Sequence, residues 1–462
     1  MSAAERSAAA PGAAEPTAAP PARRRLKVLL CAHELSPRQG SECAVGWHVA
    51  VNLARLHDVT VLCASGPPQA PEDYRAAVED YLATRGPIPH LTFVFVEPPR
   101  AARLLAAIDR ALLGRKGGGG FRPSFYWTVK LWQRAASRKA LELEPETFDV
   151  VHHVTPIGFW GAGTLWKLGK PYVWGPVSGM GGFSLPFARW LGAKALLFEA
   201  CRAALNSLRA HASPSLRRAA RRAAFILAVG PEEARAMERL GARSVIPMLE
   251  TAAPPVADVA PRRRDGGAPL RLCWAGQHID RKALPLLLHA LAESRLRDRL
   301  ELHVVGAGPR TAAWRALAEG LGLENVAWHG QLSREAVLAE MRRAHVLVHT
   351  STREGTPHVV LEAMAQGLPV VCHDVGGMSV AVTQRCGIKV PFANPRRSIT
   401  GFREALERLA ETPSLLETLS AGALQRAAEL TWAAKAAEIA AVYARCAGRA
   451  EPRVATARRL QA

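Results

Sequence analysis

The stretch LKVLLCAHELSPRQGSECAVGWHVAVNLARLHDVTVLC, residues 26–63, decides the fold class. It begins with one short apolar run, Lys27–Cys31, and ends with another, Val59–Cys63. Between them lie a loop and a helical stripe of apolar residues at Val45, Val49, Leu53 and Leu56. Strand, loop, helix and strand within about forty residues are typical of a βαβ unit in a parallel sheet.

The same rhythm continues to about residue 250 and predicts one doubly wound α/β domain over residues 26–250. Further candidate strands in this part are residues 91–96, 150–154, 171–174 and 225–229. Residues 251–269 combine prolines, three consecutive arginines and a Gly-Gly pair, which predicts an interdomain linker.

A second alternating series follows the linker and predicts a second α/β domain, with terminal helices, over residues 270–447. Its candidate strands are residues 270–275, 300–305, 326–329, 346–349 and 369–372, and its candidate helices are 283–292, 311–321, 334–343 and 358–366. Residues 1–25 are predicted to be a disordered Ala/Pro-rich tail, and residues 448–462 a basic tail. Two open α/β domains place a ligand cleft between the carboxyl ends of both sheets.

The composition narrows the functional classes. The 462 residues are 49% hydrophobic and 22% charged, which excludes a mostly disordered or fibrous protein. A net charge of +20 favours some anionic partner. The eight cysteines form no CxxC pair, and no apolar run approaches the ~20 residues that span a bilayer. We therefore expect a cytoplasmic protein without a disulfide framework or a cysteine zinc site.

The strongest local signal is REGTPHVVLEAM, Arg353–Met364, directly after the candidate strand at 346–349. Pro357 suits a first helical position, so the first free N–H groups of the helix form an anion site suited to phosphate; these belong to His358, Val359 and Val360. Glu362 projects from the same helix and can accept hydrogen bonds from a diol. The alternative is that Glu354 only complements the helix dipole and that Glu362 is an exposed helix residue.

Two glutamates separated by seven residues and followed by EAMAQGLPVV resemble the motif of the retaining nucleotide-sugar glycosyltransferases of family 4, which have the GT-B fold. The resemblance extends from the GSECAVGWHVAVNLA segment to the helix of Trp432, and it implies C-terminal helices that pack back toward the first domain. It implies that Glu354 is catalytic and lies by the donor sugar, and that Glu362 binds the donor's ribose. The implied diphosphate-binding residues are Gly355, Thr356, Pro357, His358 and Val359.

The family also has a cationic pair near the start of the second domain, commonly written GRL…KG, which holds the donor's diphosphate. Here Lys282 matches the family lysine, while Gln277 stands where the arginine is usual and Ala283 where the glycine is usual. Whether Arg281 replaces the missing guanidinium is open at this point. Gly306 and Gly308 of a GxGP turn are implied to shape the donor pocket.

In the first domain, Gly40 and Ser41 match a loop that approaches donor phosphate and acceptor in the family. The segment VVHHVTP matches a strand that ends in a catalytic histidine, and the candidates are His152 and His153. Adjacent strand residues face opposite sides, so only one of the two can face the cleft. Gly179, in WGPVSGMGG, is predicted to form an acceptor-side wall.

Two basic clusters, residues 100–138 and 209–222, mix cations with apolar and aromatic residues. They suit helices on an anionic membrane surface or, alternatively, core-packing helices with solvated basic faces. Nucleic acid is excluded as a partner, because no recognised motif accompanies the charge.

The resulting hypothesis is a GT-B enzyme of the exopolysaccharide or lipid-linked glycan type. It transfers a hexose, with retention, from a UDP- or GDP-sugar to a glycan or lipid-linked acceptor at the inner face of the plasma membrane. No cofactor is expected, and no metal, since no Asp-x-Asp occurs. The alternatives are a nucleotide-sugar 2-epimerase of the same fold and a non-catalytic nucleotide-sugar-binding or membrane scaffold subunit.

Overall fold

The computed structural model describes residues 24–66, 73–113, 124–182, 184–190, 193–265 and 267–448. Nearly all of the two predicted tails therefore lies outside the described residues, as does the glycine tract at 117–120. The described chain forms two parallel sheets flanked by helices, with seven strands in the first and six in the second. This is the two-domain α/β architecture that the sequence predicts.

The first sheet has the order β3-β2-β1-β4-β5-β6-β7. Its strands are β1 Lys27–Ala32, β2 Asp58–Ala64, β3 Leu91–Val96, β4 Val150–Thr155, β5 Tyr172–Val177, β6 Phe225–Ala228 and β7 Val245–Pro247. The helices are α1 Ser41–Ala54, α2 Tyr74–Arg85, α3 Arg100–Leu113, α4 Phe125–Glu142, α5 Ala193–Ala212, α6 Pro214–Arg222 and α7 Pro231–Arg239. Strands β1, β4, β5 and β6 are buried almost throughout, as expected for a sheet covered on both faces.

The second sheet has the order β10-β9-β8-β11-β12-β13. Its strands are β8 Leu270–Ala275, β9 Leu300–Val305, β10 Val326–Gly330, β11 Val346–His349, β12 Val370–His373 and β13 Gly387–Val390. The helices are α8 Leu284–Ala292, α9 Thr311–Gly320, α10 Arg334–Arg343, α11 His358–Ala365, α12 Gly377–Ala381, α13 Pro395–Glu411, α14 Pro413–Glu429 and α15 Trp432–Gly448. All pairings in both sheets are parallel, so the carboxyl ends of the strands share one edge in each.

The last helix, α15, returns to the first domain, as predicted for the C-terminal helices of a GT-B fold. Its Ile439 and Tyr443 are buried in the same apolar cluster as β1 and α1. The Tyr443 hydroxyl also lies 2.6 Å from Nδ1 of His152 on β4. Helices α13 and α14 pack instead on the second domain. The chain therefore crosses between the domains twice, once through the linker and once before α15.

Within the described part of the chain, no helix is both long and apolar enough to cross a membrane. Several large apolar side chains of the first domain are nevertheless exposed. They lie on α3, α4, α5 and the turn before α5 and include Leu104, Trp127, Leu185, Leu197, Phe198 and Leu208.

Candidate functional site

The loops at the carboxyl ends of the two sheets contact each other and define the cleft. Arg353, after β11, donates from Nη2 to Oε1 of Glu199 on α5 at 2.6 Å. The backbone N–H of Thr356 donates to Oε1 of Glu250, which follows β7, at 3.0 Å. A cavity of about 250 Å³ lies between these loops, lined by Gly179 on one side and Glu354 on the other.

Lys282, Arg281 and Glu354 come together at the second-domain wall of this cleft. Nζ of Lys282 and Nη1 of Arg281 both donate to Oε1 of Glu354, the latter at 2.9 Å. The hydroxyl of Ser351 donates to the same oxygen at 2.9 Å. The short 3₁₀ turn Asp280–Lys282 after β8 aims both cations at one point. Gln277 stands at the position where an arginine is usual in the resembling family, and it is exposed. The residue whose guanidinium contacts Glu354 is Arg281.

The electrostatics keep this cluster charged. Burial alone would raise the pKa of Glu354, but Lys282, His349 and Arg281 outweigh it and lower the pKa to about 2. Burial lowers the pKa of Lys282, and Glu354 opposes that shift. Burial and the neighbouring Lys282 lower the pKa of His349 to about 3, so its ring is neutral. At neutral pH the site is one carboxylate held by two cations.

Ala283 has a left-handed backbone conformation, with φ at 47°. Glycine adopts this conformation without the steric penalty that a Cβ brings, which explains why a glycine is usual here in the resembling family. The side chain of Ala283 is buried in the apolar cluster that includes α8, so it gains apolar contacts that glycine would lack, although its backbone conformation is strained.

The start of α11 provides free backbone donors, with one correction to the sequence prediction. Pro357 is the residue before the helix, which begins at His358. The N–H of Val360 donates to the carbonyl of Pro357 at 3.0 Å, so it is not free for a ligand. Within the described residues, the N–H groups of His358 and Val359 have no protein acceptor. The N–H of Thr356 is already bound to Glu250.

Glu362 lies in the second turn of α11 and is partly exposed. Its Oε1 is 3.1 Å from Nη2 of Arg334, the first residue of α10. Because Arg334 is largely exposed, this ion pair is weak and leaves the carboxylate accessible to hydroxyl groups.

The predicted donor-site glycines are required by backbone packing. A Cβ on Gly306 would lie 2.0 Å from the carbonyl oxygen of Gly276, and one on Gly308 would lie 2.6 Å from that of His278. The loop after β9 therefore rests directly on the loop after β8. Gly355 is confined in a similar way, since a Cβ there would lie 2.8 Å from Oε1 of Glu250.

Gly40, Ser41 and Gly179 lie on the first-domain side. Gly40 precedes α1, and Ser41 begins that helix with φ at 55°. Gly179 has φ at 91° with open space around its Cα, and its carbonyl accepts from Asn206 on α5 at 3.0 Å. Gly179 lines the cleft cavity.

Neither candidate histidine reaches the cleft surface, contrary to the expectation that one of them faces it. His152 is fully buried, with Nδ1 at Tyr443 and Nε2 2.8 Å from the carbonyl oxygen of Gly175. His153 is 1% exposed on the other face of the strand. The cause is the central position of β4, which is covered on both faces. Burial lowers the pKa of His152 to about 4 and that of His153 to about 3, so both rings are neutral.

The structure adds acidic residues that the sequence reasoning missed. Glu34 follows β1, and Glu42 lies in the first turn of α1, with Oε1 3.3 Å from the N–H of Ile157. Burial and the neighbouring Glu34 raise the pKa of Glu42 well above its usual range. Burial likewise raises the pKa of Glu250 to about 7, while its bond from Thr356 opposes the shift. Glu34 had a signal in the sequence, its position just after the first predicted strand, whereas Glu42 lies in a helix and Glu250 follows a strand that was not predicted.

The second domain is similar in sequence to a known protein family. The family model described as Glycosyl transferases group 1 matches residues 267–425, which contain the Lys282–Glu354 cluster and α11. The D-inositol 3-phosphate glycosyltransferase of Streptomyces bingchenggensis is 36% identical over 211 residues, covering 42% of this chain and 45% of the relative. The enzyme of that name from Streptomyces griseus is 34% identical over 182 residues, covering 37% and 38%. The match thus spans less than half the length of these relatives.

Solved structures share the architecture. Sucrose-phosphate synthase from Thermosynechococcus elongatus aligns with a TM-score of 0.57 at 16% identity, covering 92% of this chain and 100% of that structure. The lipopolysaccharide outer core galactosyltransferase WaaB aligns with a TM-score of 0.56 at 12% identity, covering 90% and 99%. Anabaena HepE in complex with UDP aligns with a TM-score of 0.53 at 15% identity, covering 91% and 100%. Residues 267–425 are therefore a glycosyl transferase group 1 domain, within a chain that has the GT-B fold.

Proposed function

We propose that this chain is a glycosyltransferase that moves a hexose from a nucleoside diphosphate sugar to an acceptor hydroxyl, with retention of configuration. The observation that carries the proposal is the convergence of Lys282 and Arg281 on Glu354, beside the free N–H groups at the start of α11. A group that gains negative charge in the transition state needs such preorganised cations and donors.

The donor side acts on the leaving diphosphate. Lys282 and Arg281 neutralise the charge that develops as the glycosidic bond breaks, and the N–H groups of His358 and Val359 bind its oxygens. Glu354 then orients the sugar, and Glu362 accepts hydrogen bonds from the ribose. A departing phosphate oxygen takes the proton of the acceptor hydroxyl, so no general base from the protein is invoked. UDP is the favoured donor nucleotide, because a structure of the same fold is a UDP complex.

The acceptor side favours an uncharged hydroxyl. Glu34 and Glu42 are hydrogen-bonded to each other, and within the described residues neither has a cationic partner, so a phosphate here would find no counter-charge from them. The relatives' name specifies D-inositol 3-phosphate, an anionic acceptor. We expect this chain to prefer a glycan or lipid-linked hydroxyl without a nearby phosphate.

An anionic membrane surface is the proposed partner of the first domain, and this places the enzyme at the cytoplasmic face of the plasma membrane. The support is the exposed apolar face of α5, where Leu197 is 66% and Phe198 57% exposed, beside the basic helix α6. The double variant Leu197→Glu with Phe198→Glu should lose flotation with anionic vesicles, whereas Leu141→Glu on α4 should not. Failure of the wild-type protein to float even at low salt would contradict this part.

The experiment that tests the function is a panel of UDP- and GDP-sugars, each with and without acceptors, with D-inositol 3-phosphate among the acceptors. A transferase consumes donor in proportion to glycosylated product, and the anomeric configuration follows from the product's NMR coupling. Consumption of UDP-N-acetylglucosamine without any acceptor would instead support the 2-epimerase alternative. Donor binding with no turnover on any acceptor would support a non-catalytic subunit.

A further inference from the structure

His303, His329 and Glu340 form a cluster in the second domain, outside the cleft. His303 lies in β9, His329 in the neighbouring strand β10 and Glu340 in α10. Nδ1 of His303 is 2.9 Å from Nε2 of His329, and Oε2 of Glu340 lies 3.8 Å from the first nitrogen and 4.0 Å from the second. Three potential metal ligands from three elements thus meet at one point.

These three atoms have the spacing of a metal site. A triangle with sides of 2.9, 3.8 and 4.0 Å has a circumradius of about 2.1 Å, so one position lies that far from all three atoms. This equals the usual zinc distance to histidine nitrogen and carboxylate oxygen. Two imidazoles and one carboxylate favour Zn²⁺ or a similar first-row divalent ion over Mg²⁺ or Ca²⁺, which prefer all-oxygen ligands.

The surrounding residues orient the ligands. Nε2 of His303 lies 2.8 Å from Oε1 of Glu301, so it can donate its proton there and leave Nδ1 as a lone pair facing the site. Arg271 forms an ion pair with that carboxylate, Nε to Oε2 at 3.4 Å, and its Nη2 lies 3.0 Å from the same ring nitrogen. Because a guanidinium can only donate, Nη2 and the carboxylate compete for Nε2, and metal binding requires the tautomer in which Nε2 donates to Glu301. The other oxygen of Glu340 is bound by Arg343 at 2.7 Å, which leaves Oε2 for the site.

The three side chains are buried to the degree expected of metal ligands. The side chains of His303 and Glu340 are 9% and 11% exposed, whereas that of His329 is 27% exposed. Without metal, the two rings share an N–H···N hydrogen bond. A metal ion would take the place of that shared proton. Tetrahedral coordination needs all three ligand atoms to lie about 3.3 Å from one another, so the two nitrogens would move apart and Oε2 of Glu340 would move closer, with water as the fourth ligand. The side chain of His329, which is 27% exposed, is the most accessible of the three to that water.

We propose that His303, His329 and Glu340 bind a divalent transition-metal ion, with Zn²⁺ as the reference ion, at a site separate from the donor site. The ion would tie β10 and α10 to β9. Helix α10 begins at Arg334, which contacts Glu362, and Gly330 at the end of β10 accepts from the N–H of Gly306 at 2.8 Å. The site would therefore hold two elements that border the predicted donor pocket.

The test uses full-length, tag-free protein that has been treated with a chelator and then titrated with Co²⁺, followed by its visible d–d absorption. One Co²⁺ per chain with the intense bands of a four-coordinate site, displaced by one equivalent of Zn²⁺, is expected. His329→Ala and Glu340→Gln should abolish the bands, while Glu301→Gln should weaken affinity by about 10- to 100-fold. His211→Ala, at an exposed histidine of α5, is the matched control and should bind as the wild type does.

Absence of stoichiometric binding by the wild-type protein, or bands that persist in both His329→Ala and Glu340→Gln, would overturn the proposal. His329→Gln is a second ligand variant should Glu340→Gln fail to fold, with circular dichroism as the check on folding. Because the titration contains no donor or acceptor, its result is independent of whether the chain transfers sugar.

Discussion

The two sides of the cleft carry opposite arrangements of charge. On the donor side, Glu354 is held by Lys282 and Arg281, so its carboxylate stays ionised. On the acceptor side, Glu34 and Glu42 face each other, and neither has a cationic partner within the described residues. In the proposed function, the side of Lys282 and Arg281 offers two cations to a diphosphate, whereas the side of Glu34 and Glu42 offers an anion no counter-charge. The difference suggests that each side selects its substrate by charge.

The largest expected effect comes from removing the buried donor-side cation. Lys282→Met should lower kcat/KM for the donor by about 10²- to 10³-fold, because a preorganised cation at the leaving group is lost. Steady-state donor turnover measures this effect. Lys389→Met is the control. Lys389 lies on β13 and pairs with Asp374 at 3.1 Å, not with Glu354, so this variant should keep a kcat/KM near that of the wild type. A decrease in kcat/KM of less than threefold in Lys282→Met would mean that this lysine does not stabilise the leaving group.

The next effect concerns Glu250, which links the two sides through Thr356. Its folded pKa is raised to about 7, so the stability it contributes is complete below its unfolded pKa and is lost as pH rises through about 7. Between pH 4.5 and 8 the wild-type protein should therefore lose about 3 kcal/mol of unfolding free energy relative to Glu250→Gln. Urea unfolding across this pH range measures the difference.

The matched control for Glu250 is Glu319→Gln, at an exposed position on α9. Its difference from the wild-type protein should stay flat over the same pH range. A flat difference for Glu250→Gln as well would mean that this carboxyl does not titrate as a buried group.

A smaller effect should appear on the acceptor side. Glu42→Gln should raise the acceptor KM by about ten-fold and leave donor affinity unchanged, because it replaces a carboxyl that, in the proposed function, hydrogen-bonds the acceptor hydroxyl and whose raised pKa favours the protonated form. Initial rates at varied acceptor concentration measure the change. Glu79→Gln, exposed on α2, is the control. A donor affinity that falls with Glu42→Gln would show that the two sides are not separate.

The smallest effect tests the contact that joins the sides. Arg353 and Glu199 are a partly buried pair at 2.6 Å, and Glu199 keeps a second partner in Arg202 at 2.8 Å. A double-mutant cycle with Arg353→Gln and Glu199→Gln should give a coupling energy of about 1 kcal/mol. Coupling indistinguishable from zero would mean that this ion pair does not hold the cleft in its present form.

The sequence predicted the donor side better than the acceptor side, for physical reasons. Glu354 and Glu362 belong to one local pattern of strand, turn and helix, and Lys282 follows the strand of another; such local patterns can be read directly. The direction of Arg281 depends on a single 3₁₀ turn, which residue types do not specify. Glu34 and Glu42 are near in sequence, but Glu250 approaches Glu42 only through tertiary packing of a segment about 200 residues away.

Other differences have equally specific causes. Strands β7 and β13 were not predicted because they are three and four residues long and lie at sheet edges. The alternation rule for His152 and His153 was correct, but both faces of β4 are covered, so alternation did not place either ring in the cleft. The His303 cluster has no local spacing, since its ligands come from three separate elements.

The most direct test of the account is calorimetric titration of UDP into the wild-type protein and into Lys282→Met, Glu362→Ala and Glu42→Gln. We expect one UDP site per chain, an affinity at least ten-fold weaker in Lys282→Met and Glu362→Ala, and no change in Glu42→Gln. Unchanged UDP affinity in both donor-side variants would contradict it.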